Sequence, residues 1–342
     1  MSAMTDRKPR AGQSRVTLND VAAHVGVSAI TISRALNKPA LVTDSLRQRI
    51  DDAVRQLGYV PNRAARSLAS ARSHSVVVLV PSLSNAVFVD TLAAIHDTLY
   101  PCGYQMLIGD TRYAPQDEEK LLRTYLEYNP DGILLTGFDQ NDAASTLLRS
   151  ANIPTVHMME LDDSGRYCVG FSQFDSGYAL TRLLLGKGYR RIGFLAAQLD
   201  PRTIKRGEGY RAALREAGLY QPHREIAEAQ PSSVGQGARL LDELLRQAPD
   251  CDAIFCNNDD LALGVMFECQ RRHIAVPQQL AIAGFNNLDM SAWTNPALTT
   301  VATPRYAIGA AAANMLLTLM AGEQPAQALQ DLGFKLLVRG ST

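Results

Sequence analysis

The 342-residue chain contains no run of about 18 uncharged apolar residues, so no membrane-spanning helix is expected. Its basic opening, MSAMTDRKPRAGQSR, leads into no apolar stretch, so a secretory signal is not expected and a cytoplasmic location is. Cysteine is scarce: Cys102, Cys168, Cys251, Cys256 and Cys269 form neither a CxxC pair nor a Cys/His cluster. That argues against a metal site or a disulfide framework and for reduced core thiols. GxGxxG, GxxxxGK[ST], HExxH and GxSxG are all missing, so neither a cofactor nor a catalytic constellation is expected. Gly186-Lys-Gly188 reads as a helix stop rather than a phosphate cradle. Asp259-Asp260 reads as an N-cap pair opening the helix Leu261–Arg271 rather than a metal pair.

Net charge is also missing, but its zero sum hides an asymmetry. Residues 1–72 carry 12 Lys and Arg against 5 Asp and Glu; the rest of the chain carries 22 against 29. A basic head on an acidic body suggests that the head meets a polyanion.

The head has helical punctuation. Thr17 with Asp20 forms a capping pattern, Leu18, Val21, Ala22 and Val25 follow at helical spacing, and Gly26 can close the helix. Ser28 caps a second helix almost at once, which makes a helix-turn-helix. Ile32, Ala35 and Leu36 should pack on the first helix. Ala29, Ile30, Ser33, Arg34 and Asn37 then lie on the other side. An apolar Ile30 beside Arg34 suits a major groove, where it can touch a thymine methyl while Arg34 bridges guanine O6 and N7. Thr43 starts a third helix that Gly58 ends, and its Arg47, Arg49 and Arg55 could meet phosphates. After Pro61, Asn62 can cap a short piece carrying Arg63, Arg66 and Leu68, too short to be a stable helix alone.

The segments VTLNDVAAHVGVSAITISRALN and LGYVPNRAARSLAS resemble, without a gap, the DNA-binding head and hinge of the LacI/GalR family. The resemblance implies that Ala29, Ile30, Ser33, Arg34 and Asn37 face the major groove. Thr17, Ser28 and Thr31, at the helix starts, complete the expected DNA-facing set. It also implies that Asn62 to Ser70 folds as a hinge helix only on operator DNA. Paired Leu68 side chains would then wedge into the minor groove. One head reads a half-site, so a homodimer on pseudo-palindromic double-stranded DNA is expected.

From Val76 onward, unalternated apolar runs alternate with amphipathic helices. That predicts an α/β body of two doubly wound parallel-sheet lobes. The family resemblance extends here and implies a periplasmic-binding-protein-like fold. The expected organisation is a disordered basic tail (1–15), a helix-turn-helix domain (16–61), a hinge (62–72) and an effector-binding and dimerisation body (73–342). Its proximal lobe takes about 73–171 and 302–331, its distal lobe about 172–301 and 332–342. Ser82 and Phe88 in VPSLSNAVF, Arg202 and Arg206 in the expected ligand loop LDPRTIKRGEGYR, Asn258 in CNNDDLALG and Asn286 in AGFNN are the expected effector contacts.

Asn286 departs from the family's usual Asp. Losing that carboxylate, with Arg202 and Arg206 left unopposed, suits an anionic effector. NAVF, LDPRTI and AIAGFN are most similar to members that govern gluconate use, so gluconate or a related sugar acid is the expected effector. A 2-ketogluconate, phosphorylated or neutral sugar is the alternative. A secreted sugar-binding receptor with the same lobes would require a signal peptide, and a sugar-acid enzyme would require a catalytic constellation.

Overall fold

The computed structural model describes residues 16–61 and 72–342. The expected tail and Asn62, Arg63, Arg66 and Leu68 of the expected hinge lie outside the described residues. The chain divides into two compact units, Met1–Ala71 and Arg72–Thr342.

In the first unit, α1 (Leu18–Val25), α2 (Ala29–Asn37) and α3 (Asp44–Leu57) share a small core. Each contributes a fully buried side chain: Val21, Ile32 and Ile50. Thr17 and Asp20 form a reciprocal capping box: the Asp20 carboxylate accepts from the Thr17 N–H at 2.8 Å and hydroxyl at 2.7 Å. Gly26, at φ 77°, closes α1 in the left-handed region. Arg49, expected to meet phosphates, is exposed but already engaged at one nitrogen. Its Nη2 donates to the Val25 carbonyl at 2.8 Å, tying α3 to the open end of α1. Arg47 and Arg55 lie against Asp44 and Asp52 on the same helix.

The second unit holds two six-stranded sheets, giving the two doubly wound lobes expected from the sequence. The first sheet contains β1 (Ser75–Val80), β2 (Gln105–Asp110), β3 (Gly132–Thr136), β4 (Thr155–Met158), β5 (Cys168–Gly170) and, late in the chain, β11 (Leu329–Asp331). The second contains β6 (Ile192–Ala197), β7 (Glu225–Glu228), β8 (Ala253–Cys256), β9 (Ala281–Asn286), β10 (Thr299–Ala302) and β12 (Lys335–Leu337). Their orders are β11-β5-β4-β3-β1-β2 and β12-β10-β9-β8-β6-β7. All pairings are parallel except β10 with β12. The chain therefore passes between the lobes three times. Every residue of β1, β3, β6, β8 and β9 is buried, because helices cover both faces.

Those helices are α4 (Val89–Leu99), α5 (Pro115–Leu126), α6 (Asp142–Ala151), α7 (Gln173–Gly186), α8 (Pro201–Glu216), α9 (Val234–Gln247), α10 (Asp259–Arg271) and α11 (Arg305–Met320). Gly186 ends α7, and Asn258 rather than the expected Asp259-Asp260 pair is the N-cap of α10, because its side chain accepts from the Leu261 N–H and both aspartates already lie in the first turn. Cys168, Cys251, Cys256 and Cys269 are buried free thiols. Cys102, against the core-thiol expectation, is exposed because it sits in the turn after α4. Among the described residues no helix is long and apolar enough to cross a membrane, and no group of three or more His, Cys, Asp or Glu could hold a metal.

Helices α7 and α8 approach closely at two glycines. A Cβ on Gly209 would lie 2.1 Å from the Phe174 carbonyl oxygen, and one on Gly177 would lie 2.3 Å from the carbonyl oxygen of Arg206. Backbone cannot yield as a side-chain tip can. Gly177→Ala is expected to lower the unfolding free energy by about 1–3 kcal/mol, measured by urea denaturation. Gly186→Ala, where a methyl group would meet nothing within 4 Å, should cause no loss. Equal losses in both would contradict this packing.

Candidate functional site

The carboxyl ends of both sheets face one cleft, with a volume of about 150 Å³. This is where parallel sheets place ligands, since the loops that leave the strand ends can diverge around a bound group. The first lobe brings Ser82 and Phe88 from the segment after β1, and Tyr113 from the loop after β2. The second brings Arg202 and Arg206 from the segment after β6, Asn258 from after β8 and Asn286 at the end of β9. All six residues expected at the effector site thus line a single cleft.

The two arginines come from the start of α8, not from a loop. Asp200 caps the helix by accepting from the Arg202 N–H at 3.0 Å, and Pro201 takes the first helical position. Arg202 and Arg206 therefore sit one turn apart on one face. Their surroundings differ sharply.

Arg202 is 5% exposed. Its Nη1 lies 3.2 Å from Asp139 and 3.3 Å from Glu160, and its Nε 3.0 Å from Asp200. Burial alone would lower its pKa, but Asp200, Asp139 and Glu160 outweigh that and hold the proton more firmly than usual. Asp139 and Glu160 belong to the first lobe, just beyond β3 and β4, so Arg202 is an ion bridge across the cleft. The expectation of an unopposed Arg202 is corrected: three carboxylates neutralise it.

Arg206 is 8% exposed and, among the described residues, is in no ion pair. Nε donates to the Gln173 side-chain oxygen at 2.7 Å, Nη1 to the Asn257 carbonyl at 2.9 Å, and the guanidinium lies 4.0 Å from the Phe285 ring centroid. Burial, only partly offset by Asp200, lowers its pKa to about 10. It stays charged at neutral pH with neutral partners.

Polar groups surround it. Asn258 caps α10, accepting from the Leu261 N–H at 3.0 Å, and its amide donates to the Ser232 hydroxyl at 2.7 Å. Ser82 accepts from the N–H groups of Ser84 and Asn85, each at 3.2 Å, and so shapes its own turn. Asn286 is 4% exposed at φ 106°, a left-handed backbone that asparagine tolerates better than most residues. The Thr303 hydroxyl is buried against the cleft and, among the described residues, has no hydrogen-bond partner. An unmet buried hydroxyl costs free energy until something bonds it.

In the head, Ile30 is 71% exposed on α2 and Arg34 is exposed. Ala29, Thr31 and Ser33 are half-buried. The Thr17 side chain is engaged with Asp20, and Ser28 caps α2 by accepting from the Thr31 N–H at 3.2 Å. Asn37 ends α2, and its side chain lies outside the described residues.

Residues 17–62 match the profile of bacterial regulatory proteins, lacI family, and residues 181–342 match that of a periplasmic binding protein-like domain. The HTH-type transcriptional regulator GntR of Pseudomonas aeruginosa is 49% identical over 343 residues, covering 100% of both chains. The chain belongs to the LacI family. It is a DNA-binding transcriptional repressor and not an enzyme. The crystal structure of transcription regulator GntR from Chromobacterium violaceum is 53% identical, covers 78% of this chain and 98% of its own, and superposes with a TM-score of 0.77. A LacI-family regulator from Silicibacter pomeroyi is 33% identical, covers 95% and 99%, and superposes at 0.88.

Several cleft residues of this LacI-family chain went unread in the sequence: Tyr113, Gln173 and Asp200 in the lining, and Asp139 and Glu160 behind Arg202. Asp139 and Glu160 follow a strand end by two or three residues, which is the signal that could have found them. Removing Arg202 takes that cation from Asp139 and Asp200 and leaves Glu160, 2% exposed, with Lys205 at 2.7 Å as its remaining cation. Arg202→Met is expected to cost about 3–5 kcal/mol of unfolding free energy. Adding Asp139→Asn and Glu160→Gln should recover part of it. No recovery in the triple variant would contradict the bridge.

Proposed function

We propose that this repressor binds a pseudo-palindromic operator as a homodimer and releases it when a gluconate-type sugar acid fills the cleft. The observation that carries the ligand class is Arg206, a buried cation whose partners are all neutral. A carboxylate there would complete its charge balance through a bidentate pair. The unpartnered Thr303 hydroxyl and the amides of Asn258 and Asn286 suit the hydroxyls of such an acid. Ser82, Phe88 and Arg202 border the same space. The name GntR, carried by the relatives reported above, is consistent with this assignment.

In this reading Ile30 and Arg34 reach base edges, with Ala29, Thr31, Ser33 and Asn37 beside them and Thr17 and Ser28 near phosphates. Residues 62–72 act as the hinge, with Asn62, Arg63, Arg66 and Leu68 on the minor-groove side. Ligand releases DNA only if it favours one arrangement of the lobes over the other. The protein acts in the cytoplasm.

Titrating operator-bound protein with gluconate, 2-ketogluconate, 6-phosphogluconate and glucose tests the effector class. Release by an acid is expected; release by glucose alone would refute it. Arg34→Ala should cost about 1–3 kcal/mol and relax base choice at one operator position. An unchanged preference in a base-substitution series would contradict that role.

A further inference from the structure

A second concave surface lies on the first lobe and shares no lining residue with the cleft. It has a volume of about 660 Å³ and is bounded by α6, β4, the segment before β5 and the end of α11. Strand alternation aims the two rows of β4 in opposite directions: Val156 and Met158 enter the core, and Thr155 and His157 line the groove. Leu148, Ile153 and Leu319 give it an apolar wall. Arg149 is exposed at its rim, donates to the Thr146 hydroxyl at 3.0 Å and, among the described residues, is in no ion pair.

His157 is the informative residue. It is only 6% exposed. Its Nδ1 lies 2.8 Å from the Gly137 carbonyl oxygen. A carbonyl can only accept, so Nδ1 carries the hydrogen and Nε2 of the neutral ring presents a lone pair. Among the described residues Nε2 has no hydrogen-bond partner. The ring stacks on Phe138 at 4.4 Å, and Arg166 covers Phe138 at 4.3 Å, so its orientation is fixed. Burial holds the imidazole pKa down to about 4, which keeps the acceptor available at neutral pH.

We infer that this groove is a second ligand site, for a small amphipathic hydroxy acid whose hydroxyl donates to His157 Nε2. The apolar body rests on Leu148, Ile153 and Leu319, and the carboxylate reaches Arg149. Nε2 opens onto the groove, so a ligand hydroxyl there gains a hydrogen bond that its deoxy analogue cannot make.

The full chain with 15N-labelled histidine, titrated with 4-hydroxybenzoate, benzoate and phenol, tests this by NMR. 4-Hydroxybenzoate should move the His157 nitrogen signals and bind about fivefold more tightly than benzoate. His157→Phe should abolish that preference. Arg149→Gln should weaken both acids and leave phenol unchanged. Arg206→Ala, in the cleft, should leave 4-hydroxybenzoate binding intact. No movement of the His157 signals up to about 10 mM, near the weak limit of specific binding, would overturn the site. So would equal affinity for the hydroxylated and plain acids, or loss of binding in Arg206→Ala.

Discussion

Two guanidinium groups one turn apart on α8 organise the body of this repressor, because both are buried and only one is neutralised by carboxylates. Taking an ion out of water is costly unless other charges or dipoles replace its hydration. For Arg202 the replacement comes from Asp139 and Glu160 of the opposite lobe and from Asp200 of its own. For Arg206 it comes from a carboxamide, a carbonyl and an aromatic face. The first arrangement ties the lobes together without a ligand. The second leaves a positive potential in an enclosed space, where a small anion is favoured.

The two arrangements depend on each other through the backbone. The α7–α8 glycine contact sets how deep α8 lies, and the Asp200 cap sets where it begins. Shifting that start by one residue would turn Arg202 and Arg206 by about 100° and break both sets of contacts. A ligand that draws Arg206 toward it therefore acts on the helix that carries the interlobe bridge. Charge in the cleft and lobe position are coupled through this one element.

Much of the fold was legible in the sequence. The head announced itself through capping residues, Gly26 and a helical apolar stripe, and its helices follow those signals. The long buried strands stood out as unalternated apolar runs from Val76 onward. Strands of three residues, such as Cys168–Gly170, Leu329–Asp331 and Lys335–Leu337, are too short to carry a period and are defined by their neighbours. The start of α8 was misplaced because Asp200-Pro201 was read as part of a loop, although a cap followed by proline is a helix-start signal. The cleft lining was found where motifs carried it. Asp139 and Glu160 were not: their place just past a strand end points to the cleft, but it does not name a partner 63 or 42 residues away. The apparent excess of positive charge on α8 was thus half real.

The central assignment is that Arg206, and not Arg202, selects the charge of the effector. Gluconate and glucitol differ only at the end that carries the carboxylate, so their affinity ratio isolates that interaction. Calorimetric titration of both ligands into the unmodified protein, Arg206→Gln and Arg202→Gln measures it directly. The ratio should favour gluconate in the unmodified protein, fall to about one in Arg206→Gln, and stay well above one in Arg202→Gln, as a charge-assisted pair worth about 1.5–3 kcal/mol requires. An unchanged ratio in Arg206→Gln would contradict the assignment.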